Sequence, residues 1–150
     1  MLIALATPPD TNMYGVRGFE DAPHVADYDP WEHAALLGAP LKSNTTLPSG
    51  IVAAYSHELH AIFFQPGLPE DVERCAIAHE LVHFENCDRG KSAREEARAN
   101  RVSTLRMVRP SRIAELHLDH GDLRGIARGL TVTEDVMRLY ARMRRNGLRL

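Results

Sequence analysis

The chain has little cysteine, few aromatic residues and no long apolar run. Two cysteines in 150 residues exclude a disulfide-built scaffold, which needs a dense, even set of thiols. Cys75 and Cys87 are both expected on one helix, on different faces, where they do not readily bridge each other. A reducing cytoplasm is therefore the simplest setting. Their C-x11-C spacing matches no zinc pattern, so both are expected to act as small hydrophobes. No apolar stretch approaches the roughly 20 residues of a membrane span. Met1-Leu2-Ile3-Ala4-Leu5-Ala6 is too short for a secretory signal and lacks its basic start. Without a secretory route, Asn44-Thr45-Thr46 is a glycosylation triplet by spelling only. Internal repeats and low-complexity tracts are absent as well. What remains, 44% hydrophobic and 25% charged residues in a chain of 150, suits one compact domain with a sizeable core.

The net charge of −2 is unevenly spread. Residues 1–50 carry six acids against Arg17 and Lys42, whereas residues 121–150 carry seven arginines against Asp122, Glu134 and Asp135. An Arg-rich C-terminus can touch phosphate, and solvated helix faces are also commonly charged, so nucleic acid is a minority expectation.

The most informative string is His79-Glu80-Leu81-Val82-His83. On a helix the spacing of four puts both imidazoles on one face, one turn apart, where they can share a metal. Glu80 then sits near a water held in the metal's open position, the geometry of a catalytic zinc site. A shuffled chain with eight His and eleven Glu spells HExxH about 3 times in 100, so context decides. That context is helical. Pro69 suits a first helical position, Glu70, Asp71 and Glu73 suit a first turn, and Leu68 or Gly67 would serve as the cap. Val72, Cys75, Ala76, His79 and His83 share one face, and Ile77, Leu81 and Phe84 another. A helix apolar on two sides is buried. Two inward histidines and a glutamate are costly there without a task.

A third ligand is expected downstream. Gly90 can end the helix, and Ser92-Ala93-Arg94-Glu95 has the form of a capping box that opens the next one. Glu95 then has a structural duty, while Glu96 is free to face elsewhere. His83 lies four residues before a turn between Cys87 and Ser92, and Glu96 four after it. The two side chains thus reach matched heights on antiparallel neighbours. Ala99 and Ser103, on the face of Glu96, are small enough to let the helices approach. This reading gives a His79, His83, Glu96 site, with Glu95 as the alternative ligand.

With these residues in place, roughly residues 48–110 resemble the ImmA/IrrE metallopeptidases of bacteria, mobile elements and phages. The resemblance is carried by a hairpin (Ser49–Tyr55, then Ala61–Phe64), the Cys75–His83 helix, and Glu96-Ala97-Arg98-Ala99-Asn100-Arg101. The last segment looks like the family's E-x-x-A-[DN]-x motif and implies Glu96 as the third zinc ligand. Val102-Ser103 replaces the usual aromatic-Ala pair, and Met107-Val108-Arg109-Pro110 departs from the family's usual sequence before the proline.

Residues 1–28, rich in Pro, Asp and Gly, read as an N-terminal extension with little periodicity. Residues 29–110 read as the metallopeptidase core, and 111–150 as a helical appendage of the same compact unit. Asp29-Pro30 caps and starts a short helix carrying Trp31, Ala34, Ala35 and Leu37, ended by Gly38. Ile51–Ser56 and Ala61–Gln65 are β-rich runs around His57-Glu58-Leu59-His60. The two loop histidines are ligands or, more commonly for such turns, solvent-exposed. Ala61–Gln65 is expected to offer an edge strand on which a peptide aligns. Short helices follow around Ile113–Leu118 and Leu123–Arg128. Residues 123–136 have a helix-turn-helix look, with Thr131 at the turn and Thr133 capping the next helix.

The expected fold class is α+β: a small zincin-like domain with a short antiparallel sheet, an HExxH helix, an antiparallel ligand helix and C-terminal helices. The expected function is a cytoplasmic, zinc-dependent metalloendopeptidase with Glu80 as general base. His117, His120 and Tyr140 are candidate oxyanion partners. The family resemblance implies limited cuts in a protein substrate, a helix-turn-helix repressor or similar regulator; with no apolar run of spanning length, no membrane partner is expected. The alternatives are a DNA- or repressor-binding module with a structural metal site, and the metallopeptidase half of a toxin–antitoxin-like pair.

Overall fold

A computed structural model describes residues 27–90, 92–120 and 122–147, excepting the side chains of 117–120. The expected N-terminal extension therefore lies outside the described residues, save for Asp27 and Tyr28. The order is α1 (Pro30–Leu37), β1 (Leu41–Ser43), β2 (Ala53–Ser56), β3 (Ala61–Phe64), α2 (Glu70–Asn86), α3 (Ala93–Met107), α4 (Pro110–His120), α5 (Leu123–Leu130) and α6 (Glu134–Arg145). This is a small α+β domain. Among the described residues no helix is long and apolar enough to cross a membrane.

Local chemistry sets most helix ends. The Asp29 carboxylate accepts from the N–H groups of Trp31 and Glu32, and Gly38 closes α1 at φ 66°. Ser92 and Glu95 form both arms of a capping box at the start of α3, satisfying two otherwise orphaned donors. Thr133 caps α6. At α2 the ends differ from expectation. Pro69 is the cap residue and not the first helical one, and no side chain caps the helix. The three acids of the first turn supply what a cap lacks by complementing the helix dipole. The helix closes on Cys87, at φ 51°, and not on Gly90. Cys87 thus lies one residue past the helix and is exposed, while Cys75 remains partly buried on it; both thiols are free.

The sheet is mixed, with order β1-β3-β2. The hairpin β2–β3 is antiparallel, pairing Ala53 with Phe64 and Ser56 with Ala61, while β1 runs parallel to β3 through Leu41 and Ile62. Two expectations change here. The sheet is not purely antiparallel, and β3 is its central strand and not an edge. Three residues are too few to show a β alternation, so β1 left no signal, yet it occupies the side of β3 that a peptide would need. The open edge nearest α2 belongs to β2.

α2 lies between two apolar clusters, as its two-sided pattern requires. Ile77, Leu81 and Phe84 pack with Ala34, Ala39 and Ile62 on the sheet side. Ala78 and Cys75 face a larger cluster of Tyr28, Leu105, Met107, Val108 and the C-terminal helices. Residues after Pro110 supply Leu116, Ile126, Ala127, Leu130, Val132, Met137 and Tyr140 to that cluster. At Gly129 a β-carbon would come within 2.4 Å of a Leu116 methyl, so a larger residue there would have to displace the Leu116 side chain between α4 and α5. A buried polar chain crosses the helices: the Tyr28 hydroxyl meets His33, His33 meets Glu85 at 3.0 Å, and Arg106 grips Glu85 with both guanidinium nitrogens. Burial works against ionisation at Glu85, but hydrogen bonds from His33 and Arg106 outweigh it and hold its carboxyl below the ordinary range.

Candidate metal centre

The HExxH residues occupy one buried turn of α2. Glu80 and His83 are buried and His79 is half-buried. The His79 and His83 Nε2 atoms stand 3.2 Å apart. α3 runs back along α2 and brings Glu96 to them, with Oε2 at 3.3 Å from His79 Nε2 and Oε1 at 3.2 Å from His83 Nε2. Buried Ala99 and Ser103 lie on the Glu96 face of α3. The residues placed together from spacing, His79, His83 and Glu96, thus converge, and their ligand atoms lie within 4.8 Å of one another. Glu95 does not join them: its carboxylate accepts from the Ser92 N–H at 2.9 Å.

The protonation pattern makes this convergence demanding. His83 Nδ1 is 2.8 Å from Asp88 Oδ2, which places the proton of a neutral imidazole on Nδ1. Its Nε2 lone pair then faces both Glu96 and the other histidine. Glu96 Oε1 is itself buried with no hydrogen-bond donor. A lone pair and a carboxylate oxygen pointed at one spot repel unless a proton or a metal cation lies between them. The three residues can hold a metal ion, with the ligand types that suit a transition metal.

Asp88, a residue with no role evident from spacing alone, is the support behind His83. It is buried and accepts from Arg98 on α3 as well as from His83. Burial disfavours its charge, but the hydrogen bonds from Arg98 and His83 win and hold the carboxyl below its ordinary range. A carboxylate on the far nitrogen of a ligating histidine fixes ring orientation and raises ligand basicity. The only signal in the sequence was a carboxylate five residues after His83, in the turn that closes the helix.

Glu80 is placed by the sheet. Its Oε2 accepts the Tyr55 backbone N–H at 2.8 Å, so the outer edge of β2 clamps the carboxylate beside the histidines. A cleft of about 130 Å³ opens there between the hairpin and the loop after α2, lined by Tyr55, His57, Glu80, His83, Asp88, Arg89 and Gly90. Here one of the two loop histidines differs from the exposed-turn expectation. His57 is half-buried and faces the cleft. His60 is exposed but stacks on Phe84 at 4.1 Å between ring centres. Neither belongs to the metal cluster. Of the oxyanion candidates, Tyr140 is buried in the helical cluster, and the side chains of His117 and His120 lie outside the described residues.

The two adjacent glutamates separate cleanly by experiment. Glu96→Ala is expected to lose metal affinity, whereas Glu95→Ala should keep the metal and lose only the capping box, about 0.5–2 kcal/mol of stability. Metal content and thermal unfolding of the two variants check this, and the reverse pattern would move the ligand to Glu95. Asp88→Ala should retain the three ligands but weaken metal binding about 10–100-fold, read by competition with a chelator. An unchanged affinity would remove Asp88 from the site.

No protein-family model, curated protein or solved structure matches the chain.

Proposed function

We propose that the protein is a zinc-dependent metallopeptidase that makes limited cuts in a protein substrate. The observation that carries this reading is the buried Glu80 carboxylate, clamped by the Tyr55 N–H beside the converging His79, His83 and Glu96. A structural metal site needs no such fourth group. Zinc fits the residues present. Tetrahedral coordination with bonds of about 2.0–2.1 Å sets ligand atoms roughly 3.3–3.4 Å apart, against the 3.2, 3.2 and 3.3 Å found here.

His79, His83 and Glu96 would hold the ion, which when bound lowers the pKa of a coordinated water and polarises a carbonyl. Glu80 takes the proton of the attacking water and delivers it to the leaving amine. The Tyr55 N–H fixes one carboxylate oxygen during both transfers. Asp88 and Arg98 keep the His83 ring aligned. The peptide aligns on the outer edge of β2, where antiparallel alternation turns the peptide groups of Ala53 the same way as those of Tyr55. This replaces the strand first expected in that role.

By its resemblance to the ImmA/IrrE peptidases, the substrate is a repressor of the helix-turn-helix type or a similar regulator, met in the cytoplasm. The same resemblance admits the metallopeptidase half of a toxin–antitoxin-like pair. A second reading, a DNA-binding module, has two observations in its favour. Thr131 makes a left-handed turn between α5 and α6, and exposed Arg142, Arg144 and Arg145 have no carboxylate partner among the described residues. Against it, Arg124 and Arg138 are neutralised by Glu134 and Asp135, which thins the positive face. The deciding experiment is metal analysis of the purified protein beside Glu80→Gln, joined to a search for proteins cleaved only by the wild type.

A further inference from the structure

The cleft beside Glu80 and His83 carries a charge pattern that the hydrolytic step does not use. Its two carboxylates have other duties: Glu80 gives one oxygen to the Tyr55 N–H and the other to the proposed proton transfer, and Asp88 is held by His83 and Arg98. Beside them the cleft is lined by groups able to donate, Arg89, His57 and Tyr55. Arg89 stands exposed at the rim, with no carboxylate partner among the described residues. His57 lies half-buried on the opposite wall. The Tyr55 hydroxyl, 3.4 Å from His57 Nδ1 and 3.1 Å from His60 Nδ1, orients the histidine pair. Burial, and then the nearby Cys87 and Asp88, push that hydroxyl above its ordinary pKa, so it stays protonated. A space of about 130 Å³ is close to the roughly 150 Å³ that accommodates benzene, enough for one short side chain. Its contents should be anionic and planar, because a guanidinium on one wall and an imidazole on the other match a carboxylate.

We propose that this cleft is a carboxylate-reading subsite. It takes an acidic side chain, or the free carboxyl terminus, of a peptide whose neighbouring carbonyl lies at the metal, with Arg89 as its main contact and His57 as the second. The inference rests on the peptidase reading and names the substrate class of that same site: peptides carrying a carboxylate next to the scissile bond.

Short peptide hydroxamates test it without a known substrate. The metal-chelating head is common to all, and the adjoining residue is Glu in one ligand and Gln in another. A second pair carries a free carboxyl terminus or its amide at the same place. Calorimetry on the zinc-loaded protein is expected to show at least one carboxylate ligand binding about tenfold tighter than its neutral partner, the lower end for a charge-assisted hydrogen bond. Which pair shows the preference tells side chain from chain end. Arg89→Ala should abolish the preference while leaving the neutral ligands unchanged, and His57→Ala should reduce it. Equal binding of acid and neutral ligands to the wild type overturns the subsite and leaves the metal site standing, as does a preference that survives Arg89→Ala. If no hydroxamate binds the zinc-loaded protein, the subsite and the peptidase reading fall together.

Discussion

Glu80→Gln is expected to be folded, metal-loaded and inactive. Glutamine nearly matches the volume of glutamate and leaves His79, His83 and Glu96 in place, so the ligand set is intact. It can also keep a hydrogen bond from the Tyr55 N–H through its carbonyl oxygen, so the β2 edge stays docked on α2. What it lacks is a base. The variant cannot take the proton of the attacking water, and the rate should fall about 10²–10⁴-fold. Metal content, unfolding temperature and cleavage of the protein identified with wild type measure the three parts separately. Undiminished function in cells from a folded, metal-loaded Glu80→Gln protein would end the peptidase reading. In that case replacing Arg142 and Arg145 on α6 should do the damage instead, because binding through that face needs no base.

His79→Ala and His83→Ala should each abolish stoichiometric metal binding, since two remaining protein ligands hold zinc poorly. Beyond that common loss the two differ. The His79 side chain keeps 20% of its surface exposed, and its removal opens the site to water. The His83 side chain is 2% exposed and links Asp88 to Glu96. Without it, Asp88 loses one of the two hydrogen bonds that keep it ionised in a buried position. His83→Ala should therefore cost about 1–3 kcal/mol more than His79→Ala in the metal-free protein. Denaturant unfolding after chelation reads that difference, and metal analysis reads the shared one. Full metal occupancy in either variant would sink the proposed ligand set.

The candidate site was legible where its geometry is local. A spacing of four on a helix places His79 against His83 whatever surrounds them. A capping box commits Glu95 to the helix start, which leaves Glu96 for the opposite duty. The short turn between α2 and α3 then makes the two helices antiparallel, so the third group arrives by chain geometry alone. The same holds for α1, whose Asp29-Pro30 start and Gly38 end are decided within one turn of backbone.

Other parts were not legible because they depend on which distant segments meet. β3 reads as an edge strand until β1, three residues long, pairs along its other side. Asp88 is an ordinary loop carboxylate until the turn at Cys87 directs it onto His83 and Arg98 arrives from α3. His57 is one of two similar hairpin histidines until the sheet docks on α2 and turns it into the cleft. His33, Glu85 and Arg106 show no mutual spacing at all, yet they form one buried chain across α1, α2 and α3.

The sequence by itself determined the helices that carry the candidate site, the pairing of two histidines with one glutamate, and the place of Glu80 between them. Each of these is a matter of helical periodicity and end-capping, forces that act over a few residues. Only the tertiary structure decided which strand lies beside Glu80, which carboxylate supports His83, and which donors face the cleft. Those outcomes come from packing α2 between the sheet and the C-terminal helices, and side chains far apart in the chain become neighbours only once that burial is complete.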